Sequence, residues 1–380
     1  MIYADYNATT PLGAGAIQAM NRAFEFWGNP SSAHRIGRQA NELLESSRRQ
    51  VAEKAGFLPR DVVFTSGGSE ANTLALMGHH FSRPDSRLLT SRVEHSSLRD
   101  TASFLEKNGA AVAYVRILPT GELDWENFLE LMRDFKPNLV SLMTANNETG
   151  VLFPIPDVVR VCRENEVPFH TDAVQAFGKV QPTFWGDANL VSVSAHKIHG
   201  PKGVGALLLR SGMKLVPTHY GGSQEIKRRG GTENMTGIAG FGGAAAVMAG
   251  AEAFEPIRQL RDDFEHRMLE LGDVSVQGQT APRLPNTSNL RFQGIPAEIM
   301  LGALDLEGVC VSAGSACSSG SISPSHVLLE MGLPPSEAKE CVRISWGIST
   351  TAQDVETVGT LISNAVKRIR TRRGNPSLRA

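Results

Sequence analysis

The feature that most constrains this chain is a regular alternation, from about residue 61 to residue 210, of short β-rich runs with amphipathic helical stretches. Asp61–Ser66, Arg87–Glu94, Ala110–Ile117, Leu139–Asn146, Pro168–Ala173, Asn189–Ala195 and Val204–Arg210 read as strands, with helical patterns between most of them. Strands joined through helices run parallel, so the pattern predicts an α/β fold: a mainly parallel seven-stranded sheet with helices on both faces. The last two runs are joined by a short loop ending in Gly200-Pro201-Lys202-Gly203. That loop predicts a hairpin and one antiparallel strand.

A helical stretch follows Thr232 and runs through the Ala-rich 240–253, after which the chain changes character at Glu255-Pro256. Beyond it come a charged helix, strand-like runs near Thr287–Phe292 and Val342–Trp346, and a final helix. The expected organisation is a large unit over 11–255 and a smaller α+β unit made of 256–380 with residues 1–10.

The charges nearly cancel, 38 Lys and Arg against 39 Asp and Glu, so no global field favours nucleic acid or an anionic membrane. The N-terminus lacks the charged and apolar regions of a signal peptide, and no run approaches about 18 apolar residues, so a cytoplasmic location is expected. Four cysteines, Cys162, Cys310, Cys317 and Cys341, form no C-x-x-C pair, which argues against a disulfide framework and against a zinc or iron–sulfur site. A functional cysteine here acts as a free thiol.

Several chemical groups fall at strand ends, on the edge where open α/β sheets bind ligands. Thr65-Ser66-Gly67-Gly68-Ser69-Glu70-Ala71-Asn72 passes from a strand into a helix, and Gly68 and Ser69 offer backbone N–H groups at a positive helix terminus. No Walker lysine and no G-x-G-x-x-G follow, which disfavours a nucleotide. Lys197 lies in the hairpin loop Ser194-Ala195-His196-Lys197, placed for a desolvated amine that forms an imine. Asp172, with Gln175 just after it, closes an apolar strand, where a buried carboxylate needs a cationic or hydrogen-bonding partner: a pyridinium nitrogen is one such partner, and a helix N-terminus capped by the carboxylate is the other reading. His95 and Asn147 follow two further strands.

Two more features lie in the second half. Ser312-Ala313-Gly314-Ser315-Ala316-Cys317-Ser318-Ser319-Gly320-Ser321 is too poor in apolar surface to pack, so it presents a thiol on a movable arm. Cys162 and Cys341 sit instead among larger apolar residues. Arg343, on a strand that otherwise reads as buried, suits either a bidentate grip on a substrate carboxylate or a structural ion pair.

Taken together, Asp5-Tyr6-Asn7-Ala8-Thr9-Thr10-Pro11, Gly28-Asn29-Pro30-Ser31-Ser32-Ala33-His34, Asn146-Asn147-Glu148-Thr149-Gly150, the Lys197 loop, Arg228-Arg229-Gly230-Gly231-Thr232-Glu233-Asn234 and Gly314-Ser315-Ala316-Cys317 resemble the cysteine desulfurases of aminotransferase class V. The resemblance spans residues 3 to about 350 and implies pyridoxal-phosphate enzymes of fold type I. It implies that Lys197 carries pyridoxal 5'-phosphate as a Schiff base, Asp172 pairs with the ring nitrogen, Gln175 and Asn147 contact the ring-oxygen region and His95 stacks on the ring. Phosphate would be held by Gly68, Ser69, Ser194 and His196, with Thr232 supplied by the partner of a homodimer.

The implied substrate is L-cysteine, its carboxylate on Arg343 and Asn147. Lys197 would remove the Cα proton, His95 would serve the substrate thiol, and Cys317 would take the sulfur as a persulfide, leaving L-alanine. The Gly-Ser-Ala-Cys segment resembles the nitrogenase-maturation and general iron–sulfur branch. It implies a sulfur-acceptor protein, such as a cluster scaffold or sulfur carrier, serving iron–sulfur, thio-cofactor or tRNA-thiolation pathways. A different class V lyase or transaminase, such as a selenocysteine lyase, is the alternative; a lyase or transaminase would need Lys197, Asp172 and Arg343 but not Cys317. His199, where relatives often carry an aromatic residue, and Ile348, in place of an arginine, depart from the pattern.

Overall fold

The computed structural model describes residues 1–83, 85–313 and 323–374. Cys317, in the small-residue segment, lies outside the described residues. The strands among the described residues are β1 (Ile2–Tyr3), β2 (Val62–Thr65), β3 (Arg87–Ser91), β4 (Ala111–Val115), β5 (Leu139–Ser141), β6 (Phe169–Asp172), β7 (Leu190–Ser194), β8 (Gly205–Leu209), β9 (Val274–Val276), β10 (Thr287–Phe292), β11 (Val309–Cys310) and β12 (Cys341–Ser345).

All seven runs of the first half become strands of one sheet in the order β2-β8-β7-β6-β5-β3-β4. The ladders from β4 through β3, β5 and β6 to β7 are parallel. The expected hairpin is present: β8 runs antiparallel to β7, with Ser194 opposite Gly205, and also to β2. The strands are apolar on both faces, as a sheet covered by helices requires. Leu88, Leu139, Leu190 and Leu207 pack into one buried cluster, with Leu74 and Leu76 of helix Gly68–His80 and Leu98 and Leu105 of helix Ser96–Lys107. Their chain neighbours Leu89, Val140, Val191 and Leu208 point the other way, into a second cluster with Leu44, Val158 and Phe241 from helices on the opposite face.

The remainder builds a three-stranded antiparallel sheet, β12-β10-β9, and the short parallel pair β1-β11. Its apolar side chains, among them Phe264, Leu290, Phe292, Val342, Trp346 and Ile362, form a cluster that includes Ala4 of the N-terminal arm. Asp5 bridges to Ser345, the last residue of β12. The helix expected through 240–253 is shorter: Met235–Ala246 is helical, Val247 is exposed, and after Gly250 a 3-10 turn at Ala251–Phe254 leads into the charged helix Glu255–Leu269. Glycine at the break withdraws the propensity that the alanines supply. Among the described residues no single helix is long and apolar enough to cross a membrane.

This topology prepares the site. After β3 the chain moves outward to β4, then returns to the other side of β3 for β5, β6 and β7. The crevice at such a reversal opens at the carboxyl ends of the strands, and His95, Asn147, Asp172 and Lys197 follow or close β3, β5, β6 and β7 there.

Candidate active site

A cleft of about 330 Å³ opens at that edge. Gly68, Ser69, His95, Asn147, Asp172, Gln175, Ser194, His196, Lys197 and Arg343 all line it. Residues as far apart in the chain as Gly68 and Arg343 thus share one cavity.

Lys197 ends the 3-10 turn Ala195–Lys197 that leaves β7. This loop is fastened to the N-terminal arm: Thr10 donates to the His196 carbonyl through N and Oγ1, His199 N donates to Thr10 Oγ1 at 2.7 Å, and Gly13 N donates to the His199 carbonyl at 2.9 Å. Those bonds hold His199 in a left-handed conformation, φ +65°, that a non-glycine residue adopts at a cost. The Lys197 amine donates to the Asn7 and Ala8 carbonyls. Burial and then the Arg343 charge lower its pKa from 10.5 to about 8, while Asp172 and Asp5 oppose the shift. A larger fraction of this amine is neutral than of a surface lysine.

Asp172 is 9% exposed. Its carboxylate accepts from Val174 N at 2.9 Å and from Asn72 Nδ2 at 2.7 Å, and it has no ion-pair partner among the described residues. A carboxylate that opens on a cleft with only neutral donors fits a cationic ring nitrogen. Gln175 Nε2 donates to the Asn7 carbonyl at 2.9 Å.

At the phosphate end, helix Gly68–His80 begins on Gly67 without a side-chain cap, so the first N–H groups face the cleft unclaimed by a cap. The turn lies flat on β8: a Cβ on Gly205 would sit 2.7 Å from Gly67 C and from Val193 O, so only glycine fits there. Ser69 and Ser194 hydroxyls lie at the same end, and His196, which shares a hydrogen bond with Thr9 Oγ1 at 3.1 Å, is kept neutral by burial and by Lys197, Lys202 and Lys179, with a pKa of about 4. These features together fit a phosphorylated ring aldehyde, which needs an anion cup, a carboxylate for its nitrogen and an amine for its carbonyl.

Arg343 meets both expectations for it in part: Nη2 donates to Asp5 Oδ1 at 2.7 Å and Nη1 to the Asn147 carbonyl at 2.9 Å, while the guanidinium still lines the cleft. Its Nε is buried without a partner among the described residues. His95 caps helix Ser96–Lys107 through Nδ1, which accepts from Ser97 N. Thr232 is exposed and does not line its own chain's cleft. Cys162 and Cys341 are buried and their thiols are pushed up to about 12 by desolvation, as befits core cysteines.

The sequence by itself assigns no role to Asn7, Asn72, Asp5 or Lys179. Asn7 is 1% exposed and its carbonyl receives both Lys197 and Gln175; Lys179 is buried and donates to the Gln175 carbonyl at 2.9 Å. An amide in a motif carries no mark of which backbone atom it will hold. For Asn72 the available signal is its place one turn into the phosphate-cup helix, on the face toward β6.

An aminotransferase class-V family model matches residues 2–358. Cysteine desulfurase IscS of Dictyoglomus turgidum is 39% identical over 97% of this chain and 95% of its own length. Putative cysteine desulfurase IscS 1 of Bacillus subtilis is 37% identical over 97% and 99%. Among solved structures, the NifS-like protein from Rickettsia africae superposes with a TM-score of 0.86 at 32% identity, covering 97% of this chain and 99% of that one. A structure of SspA in complex with cysteine gives 0.81 at 32% identity over 92% and 100%. On the family match, the near-complete coverage and the shared fold, this chain belongs to the aminotransferase class-V family, in its cysteine desulfurase group of pyridoxal-phosphate enzymes.

Proposed function

We propose that this enzyme removes sulfur from L-cysteine, using Lys197, Asp172, His95, Arg343 and Cys317 in distinct roles. The observation that carries the cofactor assignment is the meeting, in one cleft, of a lysine whose pKa is lowered to about 8 and a buried carboxylate without an ion-pair partner among the described residues, while the likeness to cysteine desulfurases supports the substrate. Bound pyridoxal phosphate supplies an electron sink for a carbanion at an amino acid's Cα. Lys197 would hold it, with Asp172 at its ring nitrogen, Gln175 and Asn147 near its ring oxygen, His95 on its face, and Gly68, Ser69, Ser194 and His196 at its phosphate.

For the substrate, Arg343 with Asn147 binds the carboxylate, and the freed Lys197 amine moves the Cα proton. His95 handles the proton of the substrate thiol. Cys317 thiolate attacks the substrate sulfur, the Cβ–S bond breaks and Cβ gains a proton, giving L-alanine and a persulfide on Cys317. The described residues flanking the cysteine segment are tied to the cleft: Ser312 pairs with Arg343, and His326 Nε2 lies 3.1 Å from the Glu94 carbonyl, one residue before His95.

In this reading the enzyme is a cytoplasmic homodimer in which Thr232 completes the partner's phosphate site. Residues 11–255 form the cofactor-binding domain, and 1–10 with 256–380 form a small domain carrying Cys317. The persulfide passes to an acceptor protein, a cluster scaffold or sulfur carrier. Replacement of Cys317 by Ala tests the assignment. Formation of alanine from L-cysteine should fall by at least about a hundredfold while borohydride reduction still fixes the cofactor on Lys197. Conversion at the parental rate would refute the persulfide route.

A further inference from the structure

Asn72 lies one turn into helix Gly68–His80 and is 1% exposed. Its Nδ2 reaches two acceptors, Asp172 Oδ2 at 2.7 Å and Ser97 Oγ at 3.0 Å. Ser97 Oγ lies 2.8 Å from His95 Nδ1, and Ser97 N donates to the same nitrogen at 3.2 Å. A continuous chain of hydrogen bonds therefore joins the carboxylate at the end of β6 to the imidazole that follows β3, by way of two helices.

The directions in this chain are determined. An ionised carboxylate only accepts, so the Asn72 amide must turn its nitrogen toward Asp172; the flipped amide would set Oδ1 against the carboxylate. The second hydrogen of Nδ2 then goes to Ser97 Oγ, which leaves the serine's own hydrogen for His95 Nδ1. With the Ser97 N–H and O–H both aimed at Nδ1, the neutral imidazole carries its proton on Nε2. Asn72 Oδ1 is buried and has no partner among the described residues.

We propose that Asn72 is a positioning residue that couples Asp172 to His95 through Ser97 and holds the His95 ring as a hydrogen donor at Nε2. This rests on the roles given above to Asp172 and His95. In the relay, Asn72 steadies the carboxylate on one side and, on the other, presents the His95 Nε2–H to the cleft as a hydrogen-bond donor.

The test uses holoenzyme carrying ¹⁵N-labelled histidine, in the parent, Asn72→Ala, Ser97→Ala and the double variant. The parent should show His95 as the Nε2–H tautomer with a strongly hydrogen-bonded Nδ1, and each single variant a shift of the Nδ1 resonance toward a weaker hydrogen bond, the backbone N–H of residue 97 being the donor that remains. Each single variant should also lose about tenfold in kcat with KM for L-cysteine within about twofold, and the double variant should be no worse than the poorer single, as for groups acting in series. An unchanged Nδ1 resonance in both singles, or losses that add, would overturn the coupling. If Asn72→Ala does not fold, the Ser97→Ala spectrum decides alone. Asp172→Ala and His95→Ala separate the two failures: if both keep parental cofactor affinity and kcat, the underlying site reading falls and takes the relay with it. If both lose activity while the relay variants keep the parental Nδ1 resonance, only the relay falls.

Discussion

Arg343 on β12 donates through Nη2 to Asp5 Oδ1 at 2.7 Å, so the cation assigned to the substrate carboxylate already holds a carboxylate of its own chain. The two side chains are 6% and 18% exposed, which makes the pair strong enough to compete with substrate and accessible enough to be exchanged. Arg343→Lys, which loses the planar fork, should raise KM for L-cysteine by roughly tenfold or more. Asp5→Asn should lower it severalfold, because the substrate carboxylate no longer displaces an anion. Steady-state kinetics check both, and a raised KM in Asp5→Asn would show that Asp5 orients Arg343 rather than competing for it.

Glu94 is fully buried beneath His95, with Oε1 accepting from Ser91 Oγ at 2.7 Å and from Met143 N at 3.1 Å. Burial pushes its carboxyl up from 4.5 to about 8. Between those values the native state binds a proton that the unfolded chain does not, so the contribution is complete below pH 4.5 and is lost as pH rises to 8. Glu94→Gln should therefore be more stable than the parent at pH 8, with the difference shrinking toward pH 5. Urea midpoints at the two pH values measure this; a less stable variant at pH 8 contradicts the buried neutral carboxyl.

Lys179 is buried beside Lys197 and Arg343, and desolvation with those charges lowers its pKa from 10.5 to about 7. Here the unfolded chain binds the extra proton, so stability rises with pH from 7 to 10.5, and the cost of the buried ammonium is complete below 7. Lys179→Met should stabilise the apoprotein at pH 6 by about 2 kcal/mol and flatten that rise. A parental pH slope in the variant would show that Lys179 is not the group responsible.

Gly205 carries the phosphate-cup turn on its backbone, and an added Cβ would meet Gly67 C at 2.7 Å and Gly67 Cα at 2.8 Å. Backbone cannot move aside as a flexible side chain does, so Gly205→Ala should cost about 3 kcal/mol and weaken retention of pyridoxal phosphate. Unfolding and cofactor-dialysis measurements report the two effects; a variant that keeps both would rule out the close packing of Gly67 on β8 as the constraint.

Much of the architecture is legible in the sequence because the large sheet is buried on both faces. Its strands read as apolar runs, and the short Lys197 loop discloses the antiparallel β8. The short strands β1, β9 and β11 are not legible: two or three residues leave no period, and β1 exists only by pairing with Val309 and Cys310. The helix through 240–253 reads too long because its alanine content masks the break at Gly250. In the site, residues with distinctive chemistry, most of them at strand ends, stand out from the sequence, and together with Ser194 and His196, which the family resemblance adds, ten line one cleft. The amides Asn7 and Asn72 do not stand out, because their work is done on a carbonyl and a carboxylate brought near only by the fold.

The most direct test of the central claim is the mass of the intact holoenzyme after brief exposure to L-cysteine without reductant, followed by peptide mapping. The persulfide route predicts the added mass of sulfur on Cys317, placed by fragment ions because Cys310 shares its tryptic peptide, and none on Cys162, Cys310 or Cys341. Sulfur on another cysteine, or alanine formed with no adduct on Cys317, would contradict it.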